Sequence, residues 1–123
     1  MTNNETITWH DYKPGDVQTK LHRLFRHSEE MDNMSVQIGT VITFPDVKPD
    51  KAQVVKIGEE CMEVYSAWED WESTHDYELL PHLVDECADL ITATCNLLAA
   101  LGIDDMIGAM NYCVERNRKR GRL

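Results

Sequence analysis

The chain has 123 residues, 42% of them hydrophobic, which is the size and composition of one globular domain rather than of a disordered polymer. Its formal charge of −10, from 22 acidic and 12 basic residues, repels a phosphate backbone and disfavours general nucleic-acid binding. No apolar run approaches the roughly 18 residues of a membrane span, because Thr92, Thr94 and Asn96 interrupt the most apolar stretch, Leu90 to Leu101.

In chain order, residues 1–15 read as irregular, ending in the turn-like Lys13-Pro14-Gly15. They lack the basic and apolar regions of a signal peptide, so the expected address is cytoplasmic. Asp16 is placed to cap a first helix running to about Met31, with Val17, Leu21, Leu24, Phe25 and Ser28 at helical spacing. His22 and His27 on this helix can meet a substrate, although lone histidines are more often structural or surface residues. Around residues 32–48 the pattern changes. Val36, Ile38, Ile42 and Phe44 share one parity, punctuated by Gly39 and Pro45, which predicts a short strand or an extended arm.

Pro49-Asp50 opens a second helix to about Glu72, with an apolar stripe of Val54, Ile57, Cys61, Val64, Tyr65 and Trp68. A polar linker, Ser73 to Glu78, follows. Pro81 suits the first turn of a third helix ending near Leu101, where Gly102 is a natural stop. Asp104 is the expected cap of a fourth helix to about Arg120, with a stripe of Ile107, Met110, Cys113 or Val114, and Asn117. The expected fold is therefore all-α: one domain of about four helices, with 1–48 as extension, first helix and arm, and 49–121 as the motif-bearing part. Long helices in a short chain imply that a second subunit covers part of each apolar face. Cys61, Cys87, Cys95 and Cys113 fall within the helical patterns without a Cys-x-x-Cys pair, as reduced core residues do.

Two acidic clusters carry the chemistry: Glu59-Glu60-Cys61-Met62-Glu63 and Glu86-Cys87-Ala88-Asp89. At about 100° per residue, Glu60 and Glu63 share one face of a helix, and Glu86 and Asp89 share one face of the next. Glu86, Asp89 and Asn96 border the apolar stripe of their helix, and Glu60 borders that of its own, so the two edges can meet across a groove. Carboxylates about 4 Å apart repel by roughly 4 kcal/mol at an effective dielectric near 20, which favours recruiting a cation. Hard oxygen ligands suit Mg²⁺ or Mn²⁺, which also accept phosphate oxygens. The alternative is an ordinary solvated glutamate face.

These residues resemble the MazG-like family of all-α nucleoside triphosphate pyrophosphohydrolases, whose pattern is Glu-Glu-x-x-Glu, a variable gap, then Glu-x-x-Asp. Here it reads Glu59, Glu60, Glu63, then 22 residues, then Glu86 and Asp89. Lys56-Ile57-Gly58-Glu59-Glu60, Ala88-Asp89-Leu90-Ile91 and Asn117-Arg118-Lys119-Arg120-Gly121 are similar to the family's flanking segments. The likeness covers about residues 49–121. It implies Mg²⁺-dependent hydrolysis of a nucleoside triphosphate to monophosphate and pyrophosphate, by a homodimer or homotetramer. Glu60, Glu63, Glu86 and Asp89 would be metal ligands, and Glu59 a ligand or water-orienting base. Asn117, Lys119, Arg120 and Lys56 are candidate contacts to phosphate or ribose, and Trp71 is a candidate stacking surface for the base. The bland alternatives are a helix C-terminus favoured by cations and, for Trp68, core packing. Some relatives carry a tyrosine one turn after the second-motif aspartate, where this chain has Ala93.

Three rivals stay open. A di-iron bundle wants two Glu-x-x-His motifs, and only Glu72-Ser73-Thr74-His75 fits here. A non-catalytic helical nucleotide- or partner-binding module would bind without turnover. Phosphoribosyl-ATP pyrophosphatase-like chemistry would keep the site and change the substrate.

Overall fold

A computed structural model describes residues 35–123. The helix expected over residues 16–31, with His22 and His27, lies outside the described residues. Within them the protein is an all-α bundle of three helices with no strand: α1 (Lys51–Thr74), α2 (Leu80–Ala100) and α3 (Ile107–Lys119). A single 3₁₀ turn, Tyr77–Leu79, joins α1 to α2. Residues 35–50 form no helix or strand, so the described part of the arm is an irregular, non-helical segment rather than a short strand.

Local chemistry explains most of the boundaries. Asp50 adopts an extended backbone, and its side chain accepts from the Gln53 N–H, satisfying one orphan donor at the start of α1. The helix outlasts its expected end by two residues. It stops at His75, which takes the left-handed conformation (φ 51°) and donates its N–H to the Trp71 carbonyl. Asp76 then accepts from the Glu78 N–H and starts the 3₁₀ turn. Pro81 sits in the first turn of α2, where its missing N–H costs nothing. Gly102 (φ +84°) ends the helix: its N–H bonds the Ala99 carbonyl, and the Ile103 N–H bonds the Leu98 carbonyl. This is the paired closure that a residue in the left-handed region permits, and glycine adopts it without a Cβ clash. The start of α3 differs from expectation. Asp105, not Asp104, supplies the carboxylate oxygen that accepts from the Ile107 N–H, and the helix begins at Ile107, two residues later than a cap at Asp104 would start it.

The helices α1 and α2 form an antiparallel hairpin. Gln53 meets Ala93, Glu60 meets Glu86 and Asp89, and Trp71 meets Tyr77 just before α2 begins. The less exposed positions of α1 are Gln53, Ile57, Glu60, Val64, Ala67 and Trp71, alternating in steps of four and three residues. That is the seam of two helices packed nearly antiparallel. Ala67 and Ala93 are its most buried apolar residues, and their small side chains let the backbones approach.

The expected apolar stripe of α1 is divided by this packing. Ile57 and Val64 turn toward the seam, while Val54, Cys61, Tyr65 and Trp68 are exposed. Trp68 is therefore not a core residue; its indole N–H donates to Glu72 at 2.6 Å. The apolar residues of α1 span more than one flank, and α2 covers only one of them. The stripe of α3 behaves likewise: Ile107, Met110 and Val114 are exposed, and only Cys113 and Asn117 are half-buried. Among the described residues α3 makes no packing against the hairpin comparable to that of α1 on α2. No helix of the described residues is long and apolar enough to cross a membrane.

Candidate metal and substrate site

The seam places charge where the rest of it places Ile57, Val64 and Ala67. Glu60 occupies a seam position on α1, and Glu86 and Asp89 lie on adjacent turns of α2. One carboxylate oxygen from each of the three lies within 4.8 Å of the others. Glu60 and Glu86 keep only 13% and 15% of their side chains exposed, and Asp89 opens to solvent. Two half-buried carboxylates and a third at the rim make a shallow, oxygen-lined cup. Such a donor set fits a hard divalent cation that retains water, and it offers no soft sulfur or imidazole ligand of the kind that selects zinc. The imidazole of His82 lies 3.6 Å from one Glu86 carboxylate oxygen and is not part of the cluster.

Lys56 answers part of this negative charge. Its ammonium is 2.8 Å from Glu60 and 3.9 Å from Glu59. The hydrogen bond and charge of Glu60, with further pull from Glu59 and Asp89, raise the Lys56 pKa above its ordinary value. Burial and the charge of Glu86 likewise push the Cys87 thiol up. Cys61, Cys87, Cys95 and Cys113 are all free thiols, with Cys61 exposed rather than in the core.

Beside the carboxylates lies a groove of about 240 Å³ lined by Phe44, Lys56, Glu60, Asp89, Thr92, Ala93 and Asn96. Its far wall is the arm. Asn96 Oδ1 accepts from the Phe44 N–H at 2.8 Å, fixing the arm to α2 across 52 residues of sequence. Below it, Gln53 Nε2 donates to the Ala93 carbonyl at 3.0 Å and ties the two helices together.

The candidate residues thus fall into two groups. Lys56, Glu60, Glu86 and Asp89 converge. Glu59 and Glu63 are exposed on α1 and stand outside the three-carboxylate cluster. Trp71 is placed at the loop end of the hairpin, against the rings of His75 and Tyr77, with centroids 5.4 and 5.1 Å away. Asn117, Lys119 and Arg120 lie on or just beyond α3 and do not line the groove. Asn117 is engaged in ending its own helix. Its carbonyl accepts from the Arg122 N–H, its side-chain oxygen accepts from Arg122 Nη1 at 3.2 Å, and its amide donates to Cys113 Sγ at 3.7 Å.

Phe44, Gln53 and Thr92 carry no motif signal in the sequence, where Phe44 reads only as part of the arm, and Thr92 and Asn96 as polar breaks or borders of an apolar stretch. A polar amide in the middle of the most apolar stretch was the available signal, since such groups need partners when buried. No family model, curated protein or solved structure matches this chain.

Proposed function

We propose that the protein is a Mg²⁺-dependent nucleoside triphosphate pyrophosphohydrolase, with Mn²⁺ as a substitute, in line with its motif resemblance to the MazG-like family. The observation that carries this is the convergence of Glu60, Glu86 and Asp89 from two helices, beside Lys56 and at the mouth of a groove. Glu60, Glu86 and Asp89 would hold the cation, with Glu63 as a further ligand one turn along α1. Bound there, the cation would neutralise polyphosphate charge and acidify a water nucleophile.

The remaining work falls to the chain's own side chains. Lys56 exchanges its partner Glu60 for a phosphate oxygen, keeping a charge-assisted hydrogen bond in both states. Glu59 accepts a proton from the attacking water. The neutral part of the groove receives the nucleoside. Trp71 is assigned to the base as an aromatic stacking surface, and Asn117, Lys119 and Arg120 to phosphate or ribose as hydrogen-bond donors in a segment similar to the family's; none of the four lines the groove. A homodimer or homotetramer would cover the exposed Val54, Tyr65 and Trp68 of α1 and the apolar positions of α3.

The test is a panel of (d)NTPs with Mg²⁺, followed by pyrophosphate release, with EDTA and Glu60→Gln as controls. Monophosphate plus pyrophosphate, lost in both controls, is the expected result. Diphosphate plus orthophosphate would place the cleavage at the wrong bond. Turnover of phosphoribosyl-ATP alone would shift the substrate, and tight binding without turnover would make the protein a binding module.

A further inference from the structure

Asn96 is 3% exposed, the buried polar side chain of the described residues. Its two ends have different fates. Oδ1 accepts from the Phe44 N–H. Nδ2, which carries two N–H groups, has no hydrogen-bond partner among the described residues. A buried amide donor without a partner is costly, and native proteins rarely leave one so. The same side chain lines the groove that holds Lys56, Glu60 and Asp89. Asn96 thus lines the same groove as the carboxylates, with an amide donor that no described residue pairs.

Asn96 follows Asp89 by seven residues of α2, which is about 10 Å along the helix axis. The groove accordingly has two ends. Lys56, Glu60 and Asp89 form the charged one. Phe44, Ala93 and Asn96 form the neutral one, with Ala93 leaving room for a planar group. The separation is comparable to the reach from the phosphates of a nucleotide to its base.

We propose that Asn96 is a specificity-determining residue, donating from Nδ2 to a carbonyl oxygen or ring nitrogen on the base of the bound nucleotide. The proposal rests on the nucleotide function above. Its consequence follows from the donor inventory: an amide NH₂ whose oxygen is already committed can only donate. A base edge that presents an acceptor satisfies it, and one that presents an N–H leaves two donors facing each other without water. Sites built to pair one hydrogen bond reject partners that lack it more strongly than apolar pockets reject a misfit. Accepting from the Phe44 backbone N–H through Oδ1 also fixes the amide plane, so the donor direction is set before the ligand arrives.

Two substitutions separate the ends of the side chain. Asn96→Asp keeps an acceptor for the Phe44 N–H and removes the donor; Asn96→Ala removes both without adding charge. The full chain and both variants would be titrated calorimetrically, in Ca²⁺, with the α,β-methylene analogues of the four common deoxynucleoside triphosphates and with inorganic tripolyphosphate. Melting curves would be recorded alongside. Both variants are expected to bind the preferred analogue roughly 10- to 100-fold more weakly, the factor set by losing one paired buried donor. Asn96→Ala is expected to hold tripolyphosphate within about threefold of wild type, and to lose the preference among the four bases. Wild-type affinity in Asn96→Asp would reduce Asn96 to an anchor for the arm and overturn the proposal. So would an equal loss for nucleotide and tripolyphosphate in Asn96→Ala, which decides the matter alone if Asn96→Asp fails to fold. A wild-type protein that binds tripolyphosphate with no base preference would sink the role of Asn96 and leave the polyphosphate site standing. One that binds neither would overturn the nucleotide function itself.

Discussion

Replacing Glu86 with glutamine removes one of three clustered carboxylate charges and leaves the Lys56–Glu60 ion pair in place. At the 4.8 Å that bounds the cluster, two unit charges repel by about 0.9 kcal/mol at the dielectric of water and by about 3.5 kcal/mol at an effective value of 20. Glu86 takes part in two such pairs. Asp89 is exposed and Lys56 offsets part of the field, so the lower figure governs. The metal-free Glu86→Gln protein should then be more stable than wild type by about 1–2 kcal/mol, less whatever the exposed His82 contact contributes. For a domain of this size that is a rise in melting temperature of roughly 4–12 °C. The same substitution should abolish most of the stabilisation that millimolar Mg²⁺ gives wild type, because linkage stabilises only the state that binds. The assay is thermal melting of both proteins in EDTA and in a Mg²⁺ series. A variant that is less stable than wild type in EDTA by about 1 kcal/mol or more would refute the reasoning. The carboxylates would then be neutralised by partners within the fold rather than held together against their mutual repulsion.

Lys56→Met should raise KM about tenfold with a smaller change in kcat, since the ammonium pairs with phosphate in substrate and transition state alike. Its raised pKa also fixes a sign. A cation whose folded pKa lies above its unfolded value stabilises the fold fully below the unfolded pKa, and the benefit disappears as pH climbs through the folded one. Wild type should therefore lose stability above pH 10.5, and Lys56→Met should lose less across that window, as read by denaturant midpoints at each pH. Ala93→Leu places a branched side chain at a buried contact between helices and into the groove. It should cost about 1–3 kcal/mol and block nucleotide binding, both measurable on one preparation. Iodoacetamide near pH 8 should label the exposed Cys61 well before Cys87, whose thiol is half-buried and pushed up by burial and by Glu86. Equal labelling rates in a timed mass-spectrometric series would contradict that assignment.

Much of the architecture was legible wherever a boundary depends on a few neighbouring residues. Asp50, Pro81 and Gly102 each act through their own backbone or the next turn, and each stands where its chemistry predicts. The pairing of Glu60 with Glu86 and Asp89 was legible for a related reason: helical periodicity puts each group on a definite face, and a short linker makes the helices antiparallel neighbours. Which flank of α1 would be covered was not. Val54, Ile57, Cys61, Val64, Tyr65 and Trp68 spread over about 100° of the circumference, and only the position of α2 decides that Ile57 and Val64, at one edge of that arc, turn inward. The start of α3 was missed because Asp104 and Asp105 are both competent caps, and the choice rests on which of them the Ile107 N–H reaches. Phe44 was illegible in principle. Its bond to Asn96 is made by a backbone N–H, which every residue but proline offers.

The groove is built from two kinds of chain. Its carboxylates and lysine stand on helices whose hydrogen bonds and mutual packing fix their spacing. Its opposite wall is the arm, fastened at Phe44 through a main-chain group that does not depend on which side chain position 44 carries. Side chains along the arm can therefore be exchanged, and the loop around Phe44 lengthened or shortened, without disturbing the distances among Glu60, Glu86 and Asp89. The carboxylate cup and the arm side of the groove are separately variable. On the nucleotide reading proposed above, random substitution of residues 41–46, with Asn96 and the rest of the helices untouched, should change how the groove fits its ligand while leaving metal affinity at the three carboxylates unchanged.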